Sequence, residues 1–193
     1  MESTNSYIPD INKSIEILKQ GGIILYPTDT IWGIGCDATN ESAVDKIYKL
    51  KQRSDQKSML ILLDNPNKIS SYVQEMPEIA WDLIDLTEKP LTIIYSGAKN
   101  LAKNLIPSDE SIGIRITKDL FTQRLISRFG KPIVSTSANI SGELSPENYL
   151  EINSELINAV DYTVKWRQDD LIKAEPSGII KLKPNGEVQI IRK

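Results

Sequence analysis

The chain has 193 residues, 40% of them hydrophobic and 25% charged, with a formal net charge of -3. That profile fits one globular domain with a sizeable core and excludes a protein that coats nucleic acid by bulk charge. It has no histidine and a single cysteine, Cys36, which excludes Ser-His-Asp and Cys-His machinery, His-ligated zinc, cysteine metal clusters and an internal disulfide.

No apolar run approaches the ~20 residues of a membrane helix. Met1 to Tyr7 carry no basic region followed by an apolar one, so the expectation is a cytoplasmic protein without a secretory leader. In chain order, Asp10 is expected to cap a helix with Ile11, Ile15 and Leu18 on one face, stopped by Gly21-Gly22. Ile23 to Tyr26 reads as a buried strand, then the polar turn Thr28-Asp29-Thr30 leads into Ile31 to Gly35. Asn40 caps a second helix with Val44, Ile47 and Leu50 facing inward, ending near Lys51-Gln52-Arg53. Met59 to Leu63 has strand length. Pro66 to Val73 and Pro77 to Leu86 read as short helices with proline near their starts.

Leu91 to Tyr95 and Ile112 to Ile116 read as strands. Lys118 to Phe129 reads as a helix stopped by Gly130, and a strand then runs into Ser135. Ser145-Pro146-Glu147 is expected to open a helix reaching about Ala159. Tyr162 to Val164, Gly178 to Leu182 and Val188 to Ile191 read as strands, the last two joined at Pro184-Asn185-Gly186 as a hairpin. Helices and strands intermingle from end to end, which predicts a single α/β domain over residues 1–193 with a mixed sheet flanked by helices.

Four polar clusters fall at predicted element ends: Thr28-Asp29-Thr30; Lys51 and Arg53 with Lys57; Arg115 with Thr117; and Ser135 to Gly142. In sheet proteins such ends can converge on one crevice. Lysine and arginine beside hydroxyl and amide donors suit phosphate and carboxylate groups. Arg115 interrupts an apolar strand, where alternation sets it on the face opposite Ile114 and Ile116. Taken alone, Thr28 to Thr30 reads first as a turn satisfying its own backbone, and Lys49, Lys51, Arg53 and Lys57 first as a solvated helix C-terminus. Trp32 reads as core and Cys36 as a small buried hydrophobe. Gly33-Ile34-Gly35-Cys36-Asp37-Ala38 fits a dinucleotide fingerprint in letters only, because it does not join a strand directly to a helix.

Taken together, Gly22 to Gly33, Lys51-Gln52-Arg53, Pro90-Leu91-Thr92, Gly113-Ile114-Arg115, Ser135 to Gly142, Pro176-Ser177 and Ile191-Arg192 resemble the YrdC/TsaC family of threonylcarbamoyl-AMP synthases in its short form. The resemblance implies a twisted mixed sheet with a large basic cavity. It implies the reaction of L-threonine, bicarbonate or CO2, and ATP with Mg2+ to give threonylcarbamoyl-AMP and pyrophosphate. A tRNA threonylcarbamoyl transferase complex then uses the product to modify the adenosine next to the anticodon. Position by position, it implies Lys51, Arg53 and Ser137 as catalytic residues. Threonine and its carbamate would meet Thr30, Lys51, Arg53, Lys57, Thr117 and Ser137. The nucleotide would meet Lys51, Arg53, Arg115, Ser135, Ser137, Asn139, Ser141, Ser177 and Arg192.

The family's K-x-R-P-x-x-[HN]-P-L pattern is Lys51 to Met59 here, with both prolines absent and Lys57 at the His/Asn position. On this resemblance Lys51→Ala or Arg53→Ala is expected to lower turnover by orders of magnitude with little change in melting temperature. A non-enzymatic module that binds tRNA or double-stranded RNA is the alternative, whereas weak RNA binding is compatible with the enzyme. A pI near 5.2 counts against such a module.

Overall fold

The computed structural model describes residues 7–52 and 59–193. Its strands are β1 (Ile24–Tyr26), β2 (Gly33–Gly35), β3 (Leu60–Leu63), β4 (Leu91–Tyr95), β5 (Ile112–Ile116), β6 (Ile133–Ser137), β7 (Tyr162–Thr163), β8 (Gly178–Leu182) and β9 (Val188–Arg192). They join in one mixed sheet in the order β7-β1-β2-β6-β3-β5-β4-β8-β9. The pairs β1–β7, β3–β5 and β4–β8 are parallel and the others antiparallel. The α-helices are α1 (Ile8–Lys19), α2 (Glu41–Leu50), α3 (Ile79–Leu86), α4 (Leu120–Phe129) and α5 (Ser154–Ala159).

Register turns strand composition into two different sheet faces. Ile61 of β3 stands opposite Ile114, Ile114 opposite Ile93, and Ile93 opposite Ile180. All four are buried in the core, and each isoleucine so buried stabilises the fold by about 1.5–3 kcal/mol. One residue along, on the other face, Arg115 stands opposite Thr92, Thr92 opposite Ile179, and Ile179 opposite Arg192. β5 is a central strand, so the alternation expected at Arg115 delivers a guanidinium to the interior of the sheet.

The short-range signals hold. Asn40 accepts from Ala43 N–H at the start of α2. Asp119 accepts from Thr122 N–H at the start of α4, and Gly130 ends that helix at φ +79, a conformation that favours glycine. Gly35 is required for a different reason. A Cβ there would lie 2.6 Å from Val134 O and 2.7 Å from the Tyr26 ring, so β1, β2 and β6 come together only over a residue without a side chain. Gly33 and Gly35 both lie in β2, as strand residues rather than a phosphate loop.

The short helix expected from Pro66 is present as the 3-10 helix Pro66–Ser71. Two expectations need correction. No helix opens at Ser145-Pro146-Glu147. Asn148 caps a single 3-10 turn (Tyr149–Glu151), Ile152 is extended, and Asn153 caps α5 afresh. Two competing asparagine caps divide the segment, and the Ser-Pro pair forms loop. Asp10 does not cap α1, whose N-cap is Tyr7. The buried Asp10 carboxylate accepts instead from the Tyr162 hydroxyl, from Lys165 N–H at 3.2 Å and from Trp166 N–H at 2.9 Å. Burial and then Asp10 itself push the Tyr162 hydroxyl above its ordinary pKa.

Asp10 therefore pins the chain leaving β7. Removing the acceptor of two backbone donors costs roughly 2–4 kcal/mol. Asp10→Ala is expected to lower the melting temperature by roughly 5–15 °C for a domain of this size. A calorimetric melt moving by less than about 2 °C would show that the carboxylate is dispensable.

Candidate active site

The polar face of the sheet lines a cleft of about 180 Å3. Its floor is laid by register. Gly33 stands opposite Ser137, and Leu60 stands opposite both Ser135 and Gly113. The row from Arg115 to Arg192 forms one side. Thr30, Trp32, Ser145, Pro176 and Ser177 close the rim.

Arg115 is buried. Its Nη2 lies 3.1 Å from Asp29 Oδ1 and donates to Thr28 Oγ1 at 3.3 Å. Thr28 Oγ1 also accepts from Thr30 N–H at 3.0 Å and donates to Ile31 O at 2.8 Å. The turn between β1 and β2 is thus rigid and faces the central arginine. Arg192 reaches back from β9 and donates through Nε and Nη2 to Ser177 O, at 2.9 and 2.7 Å. The Ser177 and Thr92 hydroxyls share a buried hydrogen bond of 2.8 Å. Burial, and then the positive charge of Arg115, hold Arg192 below its ordinary pKa. Two guanidiniums that repel each other along one wall of a cleft are both relieved by an anion bound beside them.

The loop after β6 is folded around Lys51. The buried ammonium donates to Ser137 O and to Asn139 O, each at 2.6 Å. Ser141 N–H returns a bond to Lys51 O at 3.3 Å. Asn139 Nδ2 closes the turn by donating to Ile140 O at 3.0 Å and Glu143 O at 2.8 Å, while its buried Oδ1 has no partner. Lys51 is the first residue after α2, where its charge also complements the helix dipole.

Of the residues expected in a site, Thr30, Arg115, Ser135, Ser137, Ser177 and Arg192 line the cleft. Lys51 and Asn139 are buried outside that lining, and Lys51 donates to the carbonyl of the lining residue Ser137. Ser141 is exposed on the loop. Thr117 is buried at the end of β5, its Oγ1 accepting from Asp119 N–H at 3.3 Å. Arg53 and Lys57 lie outside the described residues. Thr92, Trp32 and Ser145 also line the cleft, and sequence reasoning gave them no part in it. Strand alternation with Arg115 was a signal for Thr92. Trp32 is buried like core, packs against Tyr149 with ring centroids 5.0 Å apart, and still shows an edge to the cleft. Cys36 is buried and its thiol is pushed above the ordinary range by burial, which leaves no reactive thiolate. Among the described residues no group of three metal-ligating side chains occurs, and no helix is long and apolar enough to cross a membrane.

Residues 16–193 match the model of the Sua5/YciO/YrdC family, described as "Telomere recombination". The chain is 35% identical over 158 residues to the threonylcarbamoyl-AMP synthase of Pseudoalteromonas translucida, covering 80% of this chain and 84% of that one. It is 30% identical over 175 residues to the threonylcarbamoyl-AMP synthase of Blochmanniella pennsylvanica, covering 89% and 88%. Among solved structures it superposes on E. coli YciO with a TM-score of 0.83 and 25% identity, covering 96% of this chain and 89% of that one. The family model spans residues 16–193 and both relatives are matched over most of their length: the chain belongs to the Sua5/YciO/YrdC family.

Proposed function

We propose that this protein is a threonylcarbamoyl-AMP synthase, an ATP-using nucleotidyltransferase acting in tRNA modification. The observation that carries the reading is its similarity along most of their length to two relatives of that name. The cleft supports it chemically, with Arg115 and Arg192 facing one space between hydroxyl-bearing walls. In this reading the neutral threonine amine attacks CO2 and gives up a proton to water (or attacks bicarbonate, with loss of water) to form a carbamate. A carbamate oxygen then attacks the α-phosphorus of ATP, the bond from that phosphorus to the bridging oxygen breaks, and pyrophosphate leaves. The chain has no histidine to serve as base. Its contribution is to hold three charged reactants in line and to offset the charge of the leaving pyrophosphate.

Arg115 and Arg192 would take phosphate oxygens, with Ser135, Ser137 and Ser177 as hydroxyl partners and Thr30 toward the threonine. Arg53 and Lys57 would add to the basic character of the cavity. Lys51 and Asn139 would hold the Ser137 loop in shape, with Ser141 and Thr117 outside the first contacts. Mg2+ would arrive with the ATP phosphates as part of that substrate. The product would pass to a tRNA threonylcarbamoyl transferase complex in the cytoplasm. The names of the relatives favour this reading over an RNA-binding module.

Purified protein with MgATP is expected to release pyrophosphate only when threonine and bicarbonate are both present. Release that ignores threonine, or no release at all, would overturn the proposal.

A further inference from the structure

Asp29 has no part in the chemistry described so far. Its side chain is 7% exposed and faces an Arg115 side chain that is 4% exposed. The two come from different regions, the β1–β2 turn and central strand β5. Asp29 Oδ1 lies 3.1 Å from Arg115 Nη2, and Oδ2 accepts from Lys118 N–H at 3.2 Å, just past the end of β5. The carboxylate thus ties the turn to the strand that carries the arginine.

The pairing is incomplete in an informative way. Arginine–carboxylate pairs frequently close as a two-pronged fork. Here Asp29 meets one nitrogen, Oδ1 lacks an aligned hydrogen-bond donor despite its short ion-pair distance, and Arg115 Nε is buried with no partner. Thr28 Oγ1 takes a second contact from the same Nη2. One corner of the guanidinium is fastened, and Arg115 still lines the cleft together with Arg192.

We propose that Asp29 is the positioning residue for Arg115. It fixes one corner of the guanidinium, presents the remainder to the cleft, and offsets part of its charge, so that a bound polyphosphate is held in one orientation rather than merely attracted. The proposal rests on reading the cleft as the site of the ATP phosphates. It also predicts an opposition that loss of fold does not produce: without the Asp29 charge, simple anion binding tightens while turnover falls.

The test compares the wild type with Asp29→Asn, Asp29→Glu, Arg115→Met and the double variant. Two readouts are taken, calorimetric titration with inorganic pyrophosphate and kcat with KM for MgATP. Asp29→Asn is expected to bind pyrophosphate about 3–10-fold tighter, through the lost repulsion and the freed guanidinium, while kcat drops about 100-fold through lost alignment. In the Arg115→Met background the same change should tighten binding at least about threefold less and lower kcat by under about threefold, because the two residues act as a unit. Asp29→Glu keeps the charge, so affinity should stay within about twofold while kcat falls about tenfold. This variant carries the test if Asp29→Asn does not fold.

The proposal is overturned if wild type does not bind pyrophosphate, if folded Asp29→Asn binds it no tighter, if the Asn substitution acts equally in both backgrounds, or if Asp29→Glu turns over normally. Absence of threonine-dependent turnover in the wild type would instead sink the synthase reading. The pyrophosphate comparison across the two backgrounds would then decide the role of Asp29 alone.

Discussion

Replacing Arg115 by methionine is expected to lower both stability and activity more than any other single change in the cleft. The side chain is almost fully enclosed, and its departure leaves Asp29 buried without its countercharge. Breaking one side of a buried pair costs about 3–5 kcal/mol, or roughly 6–20 °C in melting temperature for a domain of this size. Rate per folded molecule should fall by about 100–1000-fold, the usual effect of removing a preorganised group that meets developing charge. Arg115→Lys separates the two effects. It restores a cation beside Asp29 and most of the stability, but not the planar fork, so activity should stay low. Thermal melts and initial rates normalised to folded protein read both quantities. An Arg115→Met protein with near-normal rates would remove Arg115 from the reaction.

Lys51→Met is expected to damage stability and activity together. Read from sequence, Lys51 is a substrate contact at a solvated helix end, and its loss should leave the melting temperature almost unchanged. The fold places it 3% exposed, with its ammonium on two carbonyls of the loop that carries Ser137. Bonds from a charged donor contribute about 1.5–3 kcal/mol each. The expected loss is therefore roughly 3–6 kcal/mol, with turnover down about 100-fold as the Ser137 loop shifts. A variant that melts normally yet turns over no substrate would show instead that the ammonium works directly on the reactants.

These two residues show where sequence reasoning stops. That Lys51 and Arg115 matter was legible from their company of hydroxyl-bearing turns at strand and helix ends. Their actual partners were not. Lys51 meets Ser137 and Asn139, which lie 86 and 88 positions along the chain, and Arg115 meets Thr28 at a separation of 87. The same distance hid the role of Asp10. An aspartate in the first turn of a helix is ordinarily a local feature, but here its acceptors serve a loop more than 150 residues away. Ser145 was lost for a related reason, because a Ser-Pro pair signals a helix start as readily as a loop that folds over a cleft.

The sequence by itself determined what depends on neighbours a few residues apart. Leu91 to Tyr95 and Ile112 to Ile116 are strands to the residue, Asn40 caps α2, Gly130 ends α4 and the last two strands form a hairpin. The absence of histidine confined the chemistry to positioning, lysine and arginine charge, carboxylates or a metal held by oxygen ligands, and seven short motifs in order pointed to the family. The tertiary structure alone decided which polar groups share a space. Sheet order places β6 and β2 beside each other and β5 at the centre, and register then sets Arg115, Thr92, Ile179 and Arg192 in one row. A one-residue slip in any of those pairings would send the row to the apolar face. The site is therefore a property of the register, which no local segment of the chain specifies on its own.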